Sequence, residues 1–205
     1  MTTQQLNLLA VISIAVCWCA FVATWAAAAN YNEGRAPAER TRSWFGTAVL
    51  PGVIIVTVIS FAVPEADWRS LTFYTPSVRI LGLVILLAAT AFTIWARLVL
   101  GVMWSAAPTV KDRHELRTSG PYGITRHPIY TGLLGMLLGS MLVAGGGRLI
   151  VAFPVSLVLV EIKIRIEERL MLGEFPHDYP RYRQQVPQLV PGLRLMKTAG
   201  MARIG

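Results

Sequence analysis

The chain has 205 residues, 54% of them apolar and 15% charged, with a formal net charge of +8. A water-soluble domain of this size rarely carries so apolar a composition, so a bilayer is the first environment to consider. The basic residues cluster beside apolar runs, where anionic headgroups attract them, and no nucleic-acid partner is expected.

A bilayer-spanning helix needs roughly 20 mostly apolar residues. The first candidate covers about residues 6–29. Ala26 to Ala29 would suit a small-residue cleavage site. However, no Lys or Arg precedes them, and the apolar core exceeds the roughly 7–15 residues of a signal h-region, so the segment reads as a span. Cys17 and Cys19 lie two apart and point in different directions on a helix, so they cannot pair. Residues 30–43 read as a plain connector, followed by spans over about 44–63 and 79–97. The stretch 101–127 lacks apolar periodicity yet holds Met103, Trp104, Leu116, Tyr122 and Ile124, so it is expected to fold against the membrane surface.

Spans over about 128–146 and 149–166 follow, separated only by Gly145, Gly146 and Gly147, which predicts a tight helical hairpin. Gly132, Gly135 and Gly139 form a small-residue face that lets another backbone come close. From Glu161 to Arg169 charged and apolar residues nearly alternate, a formal strand signal. A lone strand at a membrane edge would leave backbone groups unpaired, so continuation of the last span as a helix is preferred. The expected fold is an all-α integral membrane protein of about five transmembrane helices, with a cytoplasmic cofactor-binding segment and a C-terminal interfacial helix. The whole chain, 1–205, reads as one domain whose binding half is 101–185.

With five spans, one side of the membrane carries 15 of the 19 Lys and Arg residues, the other carries Arg69, Arg79 and Arg148, and Arg97 sits at the basic-side end of the third span. The positive-inside rule then puts the N-terminus outside and the C-terminal tail in the cytoplasm.

No G-x-G-x-x-G, Walker, H-E-x-x-H or Cys-x-x-Cys motif is present, and His114, His127 and His177 lack metal-ligand spacing, so no metal is expected. Two ionisable clusters remain on the cytoplasmic side. One runs from His114 to Tyr122 and continues through Arg126-His127-Pro128-Ile129-Tyr130-Thr131-Gly132; the other is Glu167-Glu168, with Phe175, Tyr179 and Tyr182 downstream. Gly120 and Pro121 permit a tight turn close to a ligand, Tyr122 can pack on a ring, Arg126 or His127 can donate to a carboxylate, and Glu167 can accept from a hydroxyl or ammonium. Tyr179 and Tyr182 read as interfacial packing residues outside the site.

The G-P-Y-x-x-x-R-H-P-x-Y-x-G string with the following Glu pair resembles the isoprenylcysteine carboxyl methyltransferase family and related membrane phospholipid methyltransferases. The resemblance covers about the last half of the chain. It implies S-adenosylmethionine as cofactor, contacted by His114, Glu115, Leu116, Arg117, Gly120, Tyr122, His127, Pro128, Ile129, Tyr130 and Glu167. It also implies a membrane lipid or lipidated small molecule as methyl acceptor, served by Lys163, Arg126 and Glu167. Lys163 stands where the prenylcysteine branch carries an Arg, and Ala107 where it tends to carry a Gln, so the broader family is favoured over prenylcysteine itself. The expected reaction is O-methylation of a carboxylate. Phospholipid N-methylation, an NADPH-dependent membrane reductase and a non-catalytic scaffold are the alternatives.

Overall fold

The computed structural model describes residues 3–33, 35, 39–42, 65–73, 75–104, 109–111, 116–147 and 149–192. The expected span over 44–63, together with Ala107, His114 and Glu115, lies outside them.

Helix α1 covers Thr3–Asn32 and α2 covers Pro76–Leu100. Thr75 is extended and Pro76 occupies the first helical turn, where its missing N–H costs nothing. A single helical turn, α3 (Pro121–Ile124), leads into α4 (Pro128–Ala144), again opened by proline. Helix α4 ends at Gly145 in the left-handed region (φ 87°), whose N–H returns to the Met141 carbonyl. Four residues later begins α5, one continuous helix over Leu149–Glu174, so the alternating charged stretch is helical as expected. Helix α6 (Asp178–Gln185) follows.

The glycine face predicted on α4 is where α2 packs. A Cβ on Gly139 would stand 2.6 Å from the Leu86 backbone nitrogen, and one on Gly135 would stand 2.8 Å from the Ala89 Cβ. Such close approach substitutes packing for the water-exclusion drive that lipid does not provide. Helix α1 joins through Cys17, Ile14, Trp18 and Phe21, which surround Leu86 and Met136. The Trp18 indole donates to the Ser140 hydroxyl at 3.1 Å. At the other end Arg79 donates to the Val143 carbonyl and Phe73 pairs with Gly145, tying the start of α2 to the glycine hairpin.

Helices α1 and α2 are each long and apolar enough to cross a membrane; α4 is a shorter apolar helix. Leu8, Val11 and Val16 of α1 and Ile80, Val84 and Leu98 of α2 face outward. Contiguous exposed apolar surface of this kind suits lipid, not water.

One expectation needs correction. The fold is predominantly helical, but Glu39–Arg42 (β1) and Thr109–Lys111 (β2) pair as a short antiparallel ladder. Residues 30–43 are therefore not a plain connector. Pairing the two stretches gives backbone groups of each a partner in the other.

Candidate functional site

The site forms where the start of α4 meets the lower half of α5. Continuation of α5 as a helix puts Lys163, Glu167 and Glu168 at i, i+4 and i+5, on a stripe facing α3 and α4. Lys163 and Glu168 are buried there despite their charge. Gly120 makes the approach turn with φ 61° and ψ −129°, a conformation that glycine alone adopts readily. Behind it Pro121, Tyr122 and Pro128 are buried.

His127 stands between the two carboxylates, with Nδ1 3.6 Å from Glu167 Oε2 and Nε2 3.5 Å from Glu168 Oε1. These are ion-pair distances, and His127 Nε2 is a buried nitrogen with no hydrogen-bond partner among the described residues. Its ring stacks on Tyr130, at 5.9 Å between centroids. The Tyr130 hydroxyl donates to Glu167 Oε1 at 2.5 Å, and Lys163 Nζ lies 3.8 Å from the same oxygen. Glu167 therefore joins three of the expected site residues.

Arg126 does something different. Its Nε and Nη2 both lie 2.9 Å from Glu168 Oε1, and Nη1 donates to the Arg183 and Val186 carbonyls. That guanidinium is committed to protein groups. The chain after α6 then runs beside the start of α4. The Arg126 N–H donates to the Pro187 carbonyl, the His127 N–H to Gln188, and the Thr131 hydroxyl to Leu189. Gln188 also donates to Glu161 Oε2 at 2.6 Å.

Electrostatics follow from this packing. Burial pulls the His127 imidazole down, but the carboxylates of Glu167 and Glu168 outweigh it and raise its pKa above 6.5. Burial would lift the Glu168 carboxyl, yet His127 and Arg126 prevail and hold it at about 2. Burial, with Tyr182 and Glu167 nearby, pushes the Tyr122 phenol well above its usual range, so it stays neutral.

Of the sequence-predicted residues, Tyr122, Arg126, His127, Pro128, Tyr130, Lys163 and Glu167 converge here, and Ile129 is half-buried on the first turn of α4. Leu116 is half-buried, while Arg117 and Gly120 are exposed on the approach. Sequence reasoning set aside Tyr179 and Tyr182, yet both are buried, and the Tyr182 hydroxyl donates to the Tyr122 carbonyl at 2.6 Å. The 186–189 strap was not foreseen, because it meets α4 through backbone carbonyls and carries no motif. The described residues contain no cluster able to hold a metal.

Fold and site together define a class: a bundle of apolar, membrane-type helices with a buried imidazole–carboxylate–phenol cluster at one end. A family model of the phospholipid methyltransferases matches residues 77–178, which contain that cluster. Residues 77–178 of the chain, about half of its length, thus carry the pattern of the phospholipid methyltransferase family. The chain is 28% identical over 147 residues to the cobalt-zinc-cadmium resistance protein CzcN of Cupriavidus metallidurans, covering 71% of this chain and 63% of that protein. It is 35% identical over 81 residues to the protein-S-isoprenylcysteine O-methyltransferase of Schizosaccharomyces pombe, covering 38% of this chain and 34% of that protein. The chain thus spans less than two thirds of the length of these relatives. Among solved structures it resembles a eukaryotic intramembrane Ras methyltransferase, an isoprenylcysteine carboxyl methyltransferase. The TM-score is 0.57 at 23% identity, over 69% of this chain and 53% of the other, a likeness of fold.

Proposed function

We propose that this protein methylates a membrane-embedded, lipid-like acceptor, a carboxylate being the accepting group, with S-adenosylmethionine as donor. The observation that carries the reading is the junction at Glu167, where a cation, an imidazole and a phenol converge on one half-buried carboxylate. When bound, the cofactor supplies an electrophilic methyl group on a sulfonium. Glu167, fixed by Tyr130, is an acceptor for a ribose hydroxyl or an ammonium, and His127 Nε2, which faces Glu168 at 3.5 Å without a hydrogen bond, is a donor for a ligand oxygen. The neutral Tyr122 ring offers an apolar face for a purine. His114, Glu115, Leu116, Arg117, Gly120, Pro128 and Ile129 complete the proposed contacts by their match to the family motif.

Lys163, nearer the apolar part of α5, draws in the acceptor headgroup, while Arg126 works through Glu168 as a positioning residue. A carboxylate acceptor needs no base, because a site that excludes water and aligns the reacting groups can supply most of the acceleration. We further propose five crossings, including 44–63, in one membrane domain with the N-terminus outside and the site on the cytoplasmic side; the distribution of basic residues supports it.

Calorimetric titration of the detergent-purified protein tests the reading. Saturable binding of S-adenosylhomocysteine and none of NADPH is expected; the reverse pattern would overturn it in favour of a reductase.

A further inference from the structure

Arg97 lies one turn before the end of α2, inside the apolar bundle, and is 1% exposed. Burying a guanidinium is expensive unless its donors are satisfied. Only one side of it is. Nη1 donates to the Gly101 carbonyl at 3.0 Å, and the group lies over the rings of Trp104, at 4.6 Å, and Trp25, at 5.8 Å, which themselves meet edge to face. Nε and Nη2 are buried and have no hydrogen-bond partner among the described residues.

These two nitrogens carry the parallel N–H groups on one edge of the guanidinium, the edge that takes two oxygens of a carboxylate or phosphate side by side. Arg126 shows the same edge filled, with Nε and Nη2 converging on Glu168. In Arg97 it is held against the rings and has no hydrogen-bond partner among the described residues. Its position fits a site continuous with the one above. The Tyr122 hydroxyl lies 3.5 Å from the carbonyl of Ala96, the residue before Arg97, so this side chain of the site reaches the same turn of α2. Thr93, one turn earlier on α2, adds a buried hydroxyl without a partner among the described residues. Neither Trp25 of α1 nor Arg97 falls within the sequence motifs.

We propose that the unpartnered edge of Arg97, beside the Trp25 and Trp104 rings, binds an anionic oxygen pair on the head of the lipid-like methyl acceptor. The inference rests on the methyl-transfer reading and names the acceptor class as an anionic amphiphile. A carboxylate and a phosphate share the required chemistry.

The test uses the detergent-purified protein with S-adenosylhomocysteine present. Calorimetry measures binding of an alkyl carboxylate, an alkyl phosphate and an alkyl alcohol of equal chain length to the parent, Arg97→Lys and Arg97→Gln. At least one anionic amphiphile should bind the parent about 10- to 150-fold more tightly than the alcohol, the range of a charged hydrogen-bonded contact. Whichever anion is preferred identifies the headgroup. Arg97→Gln should remove most of that preference, leaving what Lys163 supplies, and Arg97→Lys, which keeps charge but not the two-pronged edge, should fall between. No anion preference in the parent, or the full preference retained in Arg97→Lys, overturns the proposal. A parent that binds the anion but not S-adenosylhomocysteine would instead refute the methyl-transfer reading and leave the anion site standing.

Discussion

Arg126 grips Glu168 with two nitrogens on one oxygen, Nε and Nη2 each 2.9 Å from Oε1, and both side chains are nearly buried. The same guanidinium holds the Arg183 and Val186 carbonyls, so one residue joins α4, α5 and α6 behind the site. His127 and Arg183 share the Glu168 carboxylate, which makes that carboxylate the centre of a network.

Removing one partner of such a pair leaves an uncompensated charge. Arg126→Ala should cost about 3–5 kcal/mol, the range for breaking a buried ion pair. The Arg126→Ala/Glu168→Ala double variant should be less destabilised than the sum of the singles. Unfolding of the four proteins in detergent measures this; strict additivity would mean the two side chains do not act together.

The two shifted groups predict a stability optimum in pH. The Glu168 carboxyl is depressed from 4.5 to about 2, so its contribution is present above pH 4.5 and lost as pH falls toward 2. The imidazole of His127 is raised above 6.5, so its contribution is full below pH 6.5 and lost as pH rises through the elevated value. Melting temperature should therefore be highest between about pH 4.5 and 6.5. Glu168→Gln should flatten the acid limb and His127→Gln the alkaline limb. Unaltered profiles would remove the electrostatic account of this cluster.

Much of the α4–α5 half was legible because its signals are local. Prolines mark the helix starts, Gly145 to Gly147 mark the hairpin, and small residues at helical spacing mark the contact with α2. The charged stretch after Val160 was ambiguous in pattern, and only the argument from unpaired backbone groups chose the helix. What the sequence concealed is non-local. The ladder of β1 and β2 joins residues some 70 apart, and the strap after α6 reaches α4 through backbone carbonyls, which any side chain allows. Arg97 looked like the boundary of an apolar run, and its burial became visible only once α1 delivered Trp25 to it.

Glycine substitutions on α4 should separate close approach from helix propensity. Gly139→Ala places a methyl 2.6–2.8 Å from the Leu86 backbone nitrogen, Cα and Cβ, and should destabilise by about 1–3 kcal/mol through overpacking. Gly173→Ala, near the end of α5 with nothing within 4 Å, should stabilise by about 0.4–1 kcal/mol. Similar melting shifts for both would argue that the α2–α4 contact is loose.

Tyr182→Phe deletes only the hydroxyl that donates to the Tyr122 carbonyl at 2.6 Å. The orphaned carbonyl should cost about 1–3 kcal/mol. If Tyr182 positions Tyr122, KM for the cofactor should rise while kcat for bound acceptor changes little. A fall in kcat with unchanged cofactor KM would place Tyr182 in a different role.

Lys163 and Glu167 lie four residues apart on one face of α5, but their Nζ–Oε1 separation of 3.8 Å makes a loose pair, and the same oxygen takes the Tyr130 hydroxyl at 2.5 Å. Glu167 is thus held mainly by Tyr130, and losing Lys163 should leave its position almost unchanged. This permits a division of labour, with Lys163 reading the acceptor and Glu167 the cofactor. Lys163→Ala should lower kcat/KM for acceptor roughly 10- to 150-fold, the worth of a charged hydrogen bond, with little effect on S-adenosylhomocysteine affinity. Glu167→Ala should weaken that affinity directly. Were the pair only an i,i+4 ion pair, worth about 0.2–0.5 kcal/mol, both substitutions would give small and similar effects. Cofactor binding by calorimetry and acceptor kinetics on the two variants decide between these outcomes, and equal loss of cofactor binding in both would end the division.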